Sequence, residues 1–135
     1  MVSDRLGYLL KHVQARLTEE QAKALEPFGV NGRDLAVLST VASELPLSQL
    51  EVAARLGVDR TSIGDLLDAL EERGLVERRR SPEDRRRNLV ALTQHGEDTL
   101  EKAEQVRIKV EQDFLAPLTS ADRFREDLRK LLDAD

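Results

Sequence analysis

The hydrophobic pattern of residues 48–93 changes its period once, at Gly74, and this change constrains the fold more than any other feature of the sequence. Before Gly74 the apolar residues recur at the spacing of amphipathic helices. After Gly74, the runs LVERRR and NLVALT are short and rich in leucine and valine, and the turn-forming segment SPEDRR separates them. Two such runs around a turn predict a β-hairpin. The pattern therefore predicts helices that lead directly into a hairpin.

Capping residues divide the helical part of this stretch into two short helices. Ser48 and Glu51 match the S-x-x-E capping box, in which each side chain bonds a backbone amide at the start of a helix. Gly57 predicts the end of that helix, and Asp59 can cap the next one. Two short helices joined by a tight turn and followed by a hairpin form a winged helix-turn-helix.

Longer helical patterns flank this unit on both sides. Residues 4–28 repeat apolar side chains at helical spacing, and Asn31 can cap a further helix that ends near SELP. Thr93 can cap a long helix closed by Pro117, and Thr119 can cap a shorter final helix. The predicted fold class is mainly α with a small β-hairpin wing (α+β).

The helix lengths predict how the single chain, residues 1–135, is organised. Residues 31–93 form the predicted winged helix-turn-helix region, and residues 1–30 and 94–135 form a helical region. Helices of about 25 residues are roughly 37 Å long and would project far beyond a winged helix of this size. We therefore expect their apolar stripes to form a core that is shared between two copies, which predicts a homodimer with long terminal dimerisation helices.

Arginine is concentrated at one place in an acidic chain. The formal net charge is -5 at pH 7, yet residues 78–87, RRRSPEDRRR, hold six arginines. Residues 55–87 carry a net positive charge, whereas the segments before and after them are net negative. A solvated, solubilising loop is one explanation, but like charges repel one another unless an anion is near, which favours a second explanation. The cluster predicts contact with double-stranded DNA.

Other function classes lack the residues they need. The chain has no cysteine, and its two histidines, His12 and His95, are far apart in sequence, so we expect no metal site, disulfide or thiol switch. It has no Gly-rich phosphate loop, nucleophile elbow or informative carboxylate pair, so we expect neither an enzyme nor a cofactor. No long apolar run and no signal-peptide pattern occurs, which predicts a cytoplasmic protein without membrane contact.

The candidate DNA-binding residues lie on the helix pair and on the wing. The N-terminal end of the second helix would enter a major groove, where Arg60, Thr61 and Ser62 reach base edges. Asp65 can accept a hydrogen bond from a cytosine amino group, or can simply solvate the helix. Arginines of the wing would contact phosphates, with Asp84 orienting one of them. The full predicted set is Arg55, Arg60, Thr61, Ser62, Asp65, Arg78, Arg80, Arg85, Arg86 and Arg87.

Residues 59–96, DRTSIGDLLDALEERGLVERRRSPEDRRRNLVALTQHG, resemble the multiple antibiotic resistance regulator (MarR) family. The shared features are a recognition helix that ends in L-E-x-x-G-L-V, a D-x-R motif in the wing at Asp84 to Arg86, and a closing L-T-x-x-G at Leu92 to Gly96. The resemblance implies a homodimer held together by the first and last helices. It also implies binding to an inverted-repeat operator, frequently repression of nearby genes, and in many members release of DNA by a small phenolic or anionic ligand.

The recognition helix departs from this family pattern at two places. Gly64 and Asp65 stand where the family often has Thr-Arg, and Asp68 and Ala69 stand where it often has Asp-Arg. Two expected cations are therefore missing, which leaves a second interpretation open: a winged-helix module that binds another protein and binds DNA weakly or not at all.

A small effector would bind between the first helix and the winged helix. His12 and Arg16 lie four residues apart on one helix face and can meet a carboxylate or phenolate, while Leu35 and Leu38 cover the apolar part. The alternative is that His12 and Arg16 are solvated surface groups.

Overall fold

The computed structural model describes residues 1–43 and 45–134. Within these ranges the chain is mainly helical and carries one small antiparallel sheet, so the predicted fold class is confirmed. The six α-helices are α1 (Leu6–Leu25), α2 (Gly32–Ser43), α3 (Gln49–Leu56), α4 (Arg60–Glu72), α5 (Gln94–Leu115) and α6 (Ala121–Asp133). The three strands are β1 (Leu47–Ser48), β2 (Val76–Arg80) and β3 (Asn88–Leu92).

The predicted caps of the short helices are present. The Glu51 amide donates to Ser48 Oγ at 3.1 Å while the Ser48 amide donates to Glu51 Oε1 at 3.2 Å, which completes the capping box of α3. Asp59 Oδ1 accepts from the Ser62 amide at 2.6 Å and so caps α4. These caps involve residues three positions apart, and for that reason the sequence was sufficient to predict them.

Two helix boundaries differ from the sequence-based expectation. The first helix is shorter than residues 4–28, because α1 ends at Leu25 and a 3-10 turn, Glu26–Phe28, follows it. The last helix is capped by Ser120, whose side chain accepts from the Arg123 amide, and not by Thr119. The end of α2 at Ser43 agrees with the predicted end near SELP, of which Glu44 lies outside the described residues.

The sheet has the order β1-β3-β2 with antiparallel neighbours. The strand β1 was not predicted, because two residues are too short to show a period. Gly96 on α5 allows the sheet and α5 to approach closely, since a Cβ at this position would lie 2.0 Å from the carbonyl oxygen of Leu75. The glycine of the L-T-x-x-G motif therefore seats α5 against the start of the wing.

The hydrophobic core lies under the winged helix-turn-helix. Its buried residues come mainly from α2, α3, α4 and the sheet, with Leu25 of α1 and Ala103 of α5 added at its edge. The terminal helices, which we define as α1, α5 and α6, expose much of their apolar surface instead. Leu6 is 64% exposed and Leu132 is 83% exposed, and α6 has no buried residue. Their stripes were expected to form a core, but within one chain this core is incomplete.

Among the described residues, no helix combines the length and the apolar character needed to cross a membrane.

Candidate nucleic-acid interface

A tight turn sets the direction of α4 relative to α3. Gly57 adopts the left-handed conformation with φ 67°, and the amide of Val58 donates to the carbonyl of Ala53 at 3.0 Å. This arrangement ends α3 and turns the chain within two residues of the Asp59 cap. The turn places α4 so that one face packs on the core and the other faces outward.

The outward face of α4 carries most of the side chains that the sequence assigned to base contacts. Ile63, Leu67 and Leu70 are buried on the inner face. Arg60, Thr61 and Asp65 are exposed, whereas Ser62 is half-buried and its amide donates to the Asp59 cap. The carboxylate of Asp59 accepts a hydrogen bond from this amide, and the hydrogen bond lowers the pKa of the Asp59 carboxyl group. The Asp59 cap thus holds the backbone of the first turn of α4.

A cationic cleft lies between the start of α3, the start of α4 and the wing, which comprises β2, β3 and the loop 81–87. The cleft has a volume of about 460 Å³. Three arginines line it although they are far apart in sequence: Arg60 from α4, and Arg86 and Arg87 from the wing. The remaining lining residues are Ser48, Gln49, Leu50 and Asn88. The fold therefore combines the two predicted groups of DNA-binding arginines in one surface.

Short-range hydrogen bonds shape the tip of the wing. Ser81 is buried, and its amide donates to the carbonyl of Arg87 at 2.8 Å. Asp84 Oδ1 accepts from the Arg86 amide at 3.0 Å, and the Arg87 amide donates to the Asp84 carbonyl at 3.0 Å. Asp84 was expected to orient an arginine side chain, but it holds the backbone of the turn instead. The side chain of Arg86 is exposed to solvent.

The arginines of the wing fall into two classes by their partners. Arg87 pairs with Glu51 and so ties the wing to the start of α3. Hydrogen bonds with Ser48, together with Arg87, lower the pKa of Glu51. By contrast, the exposed side chains of Arg80, Arg85 and Arg86 have no acidic partner among the described residues. Within the described wing, this second class carries the unpaired positive charge.

Arg78 occupies a place that the sequence did not predict. Its guanidinium lies 2.5 Å from Asp68 Oδ1, 3.0 Å from Glu71 Oε1 and 3.3 Å from Gln49 Oε1. The side chain is only 20% exposed. Arg79 points to the opposite face of β2, where it pairs with Glu77 at 2.9 Å. Arg55 is exposed in the last turn of α3.

The four residues of the effector hypothesis do not form one cavity within the chain. Leu35 and Leu38 lie on the inner face of α2 and are buried in the core. His12 is exposed and stacks on Tyr8, with ring centroids 4.0 Å apart. Arg16 lies 3.9 Å from Glu20 and lines a separate cavity of about 500 Å³ together with Phe114 and Phe124. The buried pair Leu35 and Leu38 is thus separate from the exposed pair His12 and Arg16.

A larger apolar cavity of about 550 Å³ lies between the terminal helices, and the sequence did not indicate it. Apolar side chains from all three helices line it, including Leu10, Leu17, Phe114, Phe124 and Leu128, with Lys11, Glu111 and Arg125 among the polar residues. Apolar spacing on separate helices does not reveal the distance between them, so only the packing shows this cavity.

Comparisons with known proteins agree with this geometry. A profile of the MarR family matches residues 28–87. A protein of Thauera aromatica named as a transcriptional regulatory protein for the hcr operon is 34% identical over 123 residues, which cover 90% of this chain and 74% of that protein.

Two solved structures are similar over almost the whole chain. The transcriptional regulator PcaV from Streptomyces coelicolor, in complex with its natural ligand, matches with a TM-score of 0.88 and 29% identity, covering 99% of this chain and 96% of PcaV. The transcriptional repressor CouR, bound to a 23-mer DNA duplex, matches with a TM-score of 0.86 and 35% identity, covering 97% of this chain and 92% of CouR. The winged helix, its cationic cleft and these similarities lead to one conclusion: the chain belongs to the MarR family of DNA-binding transcriptional regulators.

Proposed function

We propose that the protein is a homodimeric repressor that binds an inverted-repeat operator. The observation that carries this proposal is the cationic cleft, in which Arg60 of α4 lies beside Arg86 and Arg87 of the wing. DNA placed with its major groove on α4 would bring its phosphates to this cleft. The repressor assignment is supported by the similarity to CouR, a transcriptional repressor.

The proposed contacts divide into those that bind phosphates and those that read bases. Arg80, Arg85 and Arg86 are exposed and have no acidic partner in the described part of the chain, which suits phosphate or minor-groove contacts. Arg60, Thr61, Ser62 and Asp65 lie at the start of α4, where side chains reach base edges. Arg87 contributes charge at the cleft while it also holds Glu51. Arg55 completes the proposed interface from the end of α3.

The proposed homodimer follows from the exposed apolar faces of the terminal helices. Exposed leucines on α1 and α6, such as Leu6, Leu9 and Leu132, would be buried by a second copy. A two-fold axis between the copies would present two α4 helices to half-sites about one helical turn, roughly 34 Å, apart. A palindromic operator is the DNA that matches this symmetry.

We propose a small organic acid as the effector class, bound against α1 near Arg16. This cation lies on the rim of a cavity whose wall includes Phe114 and Phe124, which can pack on a ring. The similarity to PcaV, which binds a natural ligand, supports the existence of an effector site. Salicylate-like acids titrated into the protein–DNA complex should release DNA from the wild type and do so less well from R16A. An identical response of the two proteins would remove this site.

The experiment that tests the DNA-binding surface is an affinity titration at several salt concentrations. Each lost phosphate contact lowers the slope of log affinity against log salt by about 0.9, so R85A/R86A in a dimer should flatten the slope by up to about 3.6. The loss should extend to unrelated DNA. The control variant is R79A, since Arg79 pairs with Glu77 on the opposite face of β2. An unchanged slope for R85A/R86A would place the wing tip outside the interface.

A further inference from the structure

Three carboxylates lie on or beside the outward face of α4, where the proposed function places DNA. They belong to Asp65, Asp68 and Glu71. Carboxylates beside phosphates oppose binding, since like charges repel across this distance. The three are not equivalent, because Asp68 and Glu71 both contact Arg78 whereas Asp65 has no partner among the described residues.

Arg78 joins three elements of the winged helix through one side chain and one amide. Its guanidinium bonds Asp68 and Glu71 of α4 and Gln49 at the start of α3. Its backbone amide, on β2, donates to Glu71 Oε2 at 3.1 Å. These bonds fix the outer side of α4 relative to the first strand of the wing and to α3.

The same bonds engage both terminal nitrogens of the Arg78 guanidinium, so a phosphate would have to compete with them. Nη2 of Arg78 faces both carboxylates, and Nη1 faces Gln49. The side chain is 20% exposed, while that of Asp68 is 66% exposed. Hydrogen bonding with Glu71 raises the pKa of Arg78, and the same bond lowers the pKa of Glu71, so both groups keep their charge near neutral pH.

We propose that Arg78 is a positioning residue of the DNA-binding surface and not a DNA contact. It holds α4 at a set orientation to the wing, and it neutralises Asp68 and Glu71, which would otherwise repel phosphates. This inference rests on the proposed DNA-binding function. It removes Arg78 from the set of phosphate-binding arginines and leaves Asp65 as the one unneutralised acid of the three.

The test is a set of charge-neutral replacements measured on unrelated DNA, where base contacts do not enter. R78Q leaves four uncompensated carboxylates in a dimer, and the screened repulsion should weaken binding on the order of tenfold at low salt. R78Q/D68N/E71Q removes the same carboxylates and should recover most of the lost affinity. Its salt slope should then match that of the wild type, because no phosphate contact has been lost.

A matched control separates this local effect from net charge. R78Q/E72Q/E97Q has the same net charge as the first triple variant, but Glu72 and Glu97 are exposed acids outside the proposed DNA contacts, and neither contacts Arg78. This control should recover clearly less affinity. Equal recovery by both triple variants, or recovery by neither, overturns the proposal, as does wild-type affinity in R78Q.

A measurement without DNA keeps the inference distinct from the proposed function. If the wild type binds no DNA, the proposed function fails, but the positioning of α4 is still measurable by amide hydrogen exchange. Exchange across α4 and β2 should accelerate several-fold in R78Q relative to the wild type, because the bonds between these elements are lost. Unchanged exchange in the DNA-free protein overturns the positioning role.

Discussion

The winged-helix region, which comprises the elements from α2 to β3, and the terminal helices differ in how they bury apolar surface. In the winged-helix region the inward faces of α2, α3 and α4 cover one another, and leucines such as Leu67 are fully buried. In the terminal helices, Leu6, Leu131 and Leu132 remain mostly exposed. The first region buries its apolar faces within one chain, whereas the terminal helices leave much of theirs exposed. Stability of the DNA-binding unit is therefore expected to be local, and its pairing on DNA to depend on association.

The largest expected effect comes from breaking the proposed association. L6D/L132D places charge on two exposed apolar positions of the terminal helices. Because a dimer binds its second half-site at a millimolar effective concentration, a monomer should lose about a thousandfold in operator affinity. Sedimentation should show a folded monomer. The control is L45D, a leucine that is 66% exposed but lies outside the terminal helices. A double variant that stays dimeric, or keeps its operator affinity as a monomer, would contradict the comparison.

Truncating a core leucine should sharpen the difference between the two regions. Leu67 is fully buried, so L67A should lower the free energy of unfolding by about 2–5 kcal/mol. Leu131 is 66% exposed in one chain, so the effect of L131A should grow with protein concentration as dimers form. Urea denaturation at several concentrations measures both. A concentration-independent loss in L131A would mean that α6 is covered within its own chain.

A smaller effect is expected at the start of the recognition helix. Arg60 is exposed in the cleft and has no acidic partner among the described residues, so its guanidinium is available to bond a base edge. R60A should weaken operator binding by about 1–3 kcal/mol more than it weakens binding to unrelated DNA, if its contact to guanine is bidentate. Competition titrations with the two DNAs measure the difference. Equal losses would assign Arg60 to phosphate contact.

The smallest effect is the dependence of thermal stability on acidic pH, and it is expected only from groups of the winged-helix region. Bonding with Arg78 lowers the pKa of Glu71, and hydrogen bonds with Ser48 lower the pKa of Glu51. A group whose pKa is lower in the folded state contributes stability above its unfolded pKa, and this contribution is lost as the pH falls through the folded value. The thermal midpoint should therefore decline as the pH drops below about 4.3, and E51Q/E71Q should show a shallower decline. Parallel curves for the two proteins would contradict these linkages.

Much of the fold was predictable because its signals are local. The caps at Ser48, Asp59 and Thr93 bond amides three residues away, so the spacing in the sequence suffices to place them. Gly57 and Gly74 follow the ends of their helices with positive φ, as the positions of these glycines in the sequence predicted. The change of period predicted the hairpin. The strand β1 was not predicted, because two residues are too few to show a period.

The sequence by itself determined the winged helix, its position in the chain and the concentration of arginine on the wing. Only the tertiary structure decided which arginines are free, because a guanidinium finds its partner through packing and not through spacing. Arg78 meets Asp68 across ten residues of sequence, and Arg87 meets Glu51 across 36. Burial has the same cause: an apolar stripe predicts a covered face, but the packing of the whole chain decides that Leu35 and Leu38 are covered while Leu6 is not.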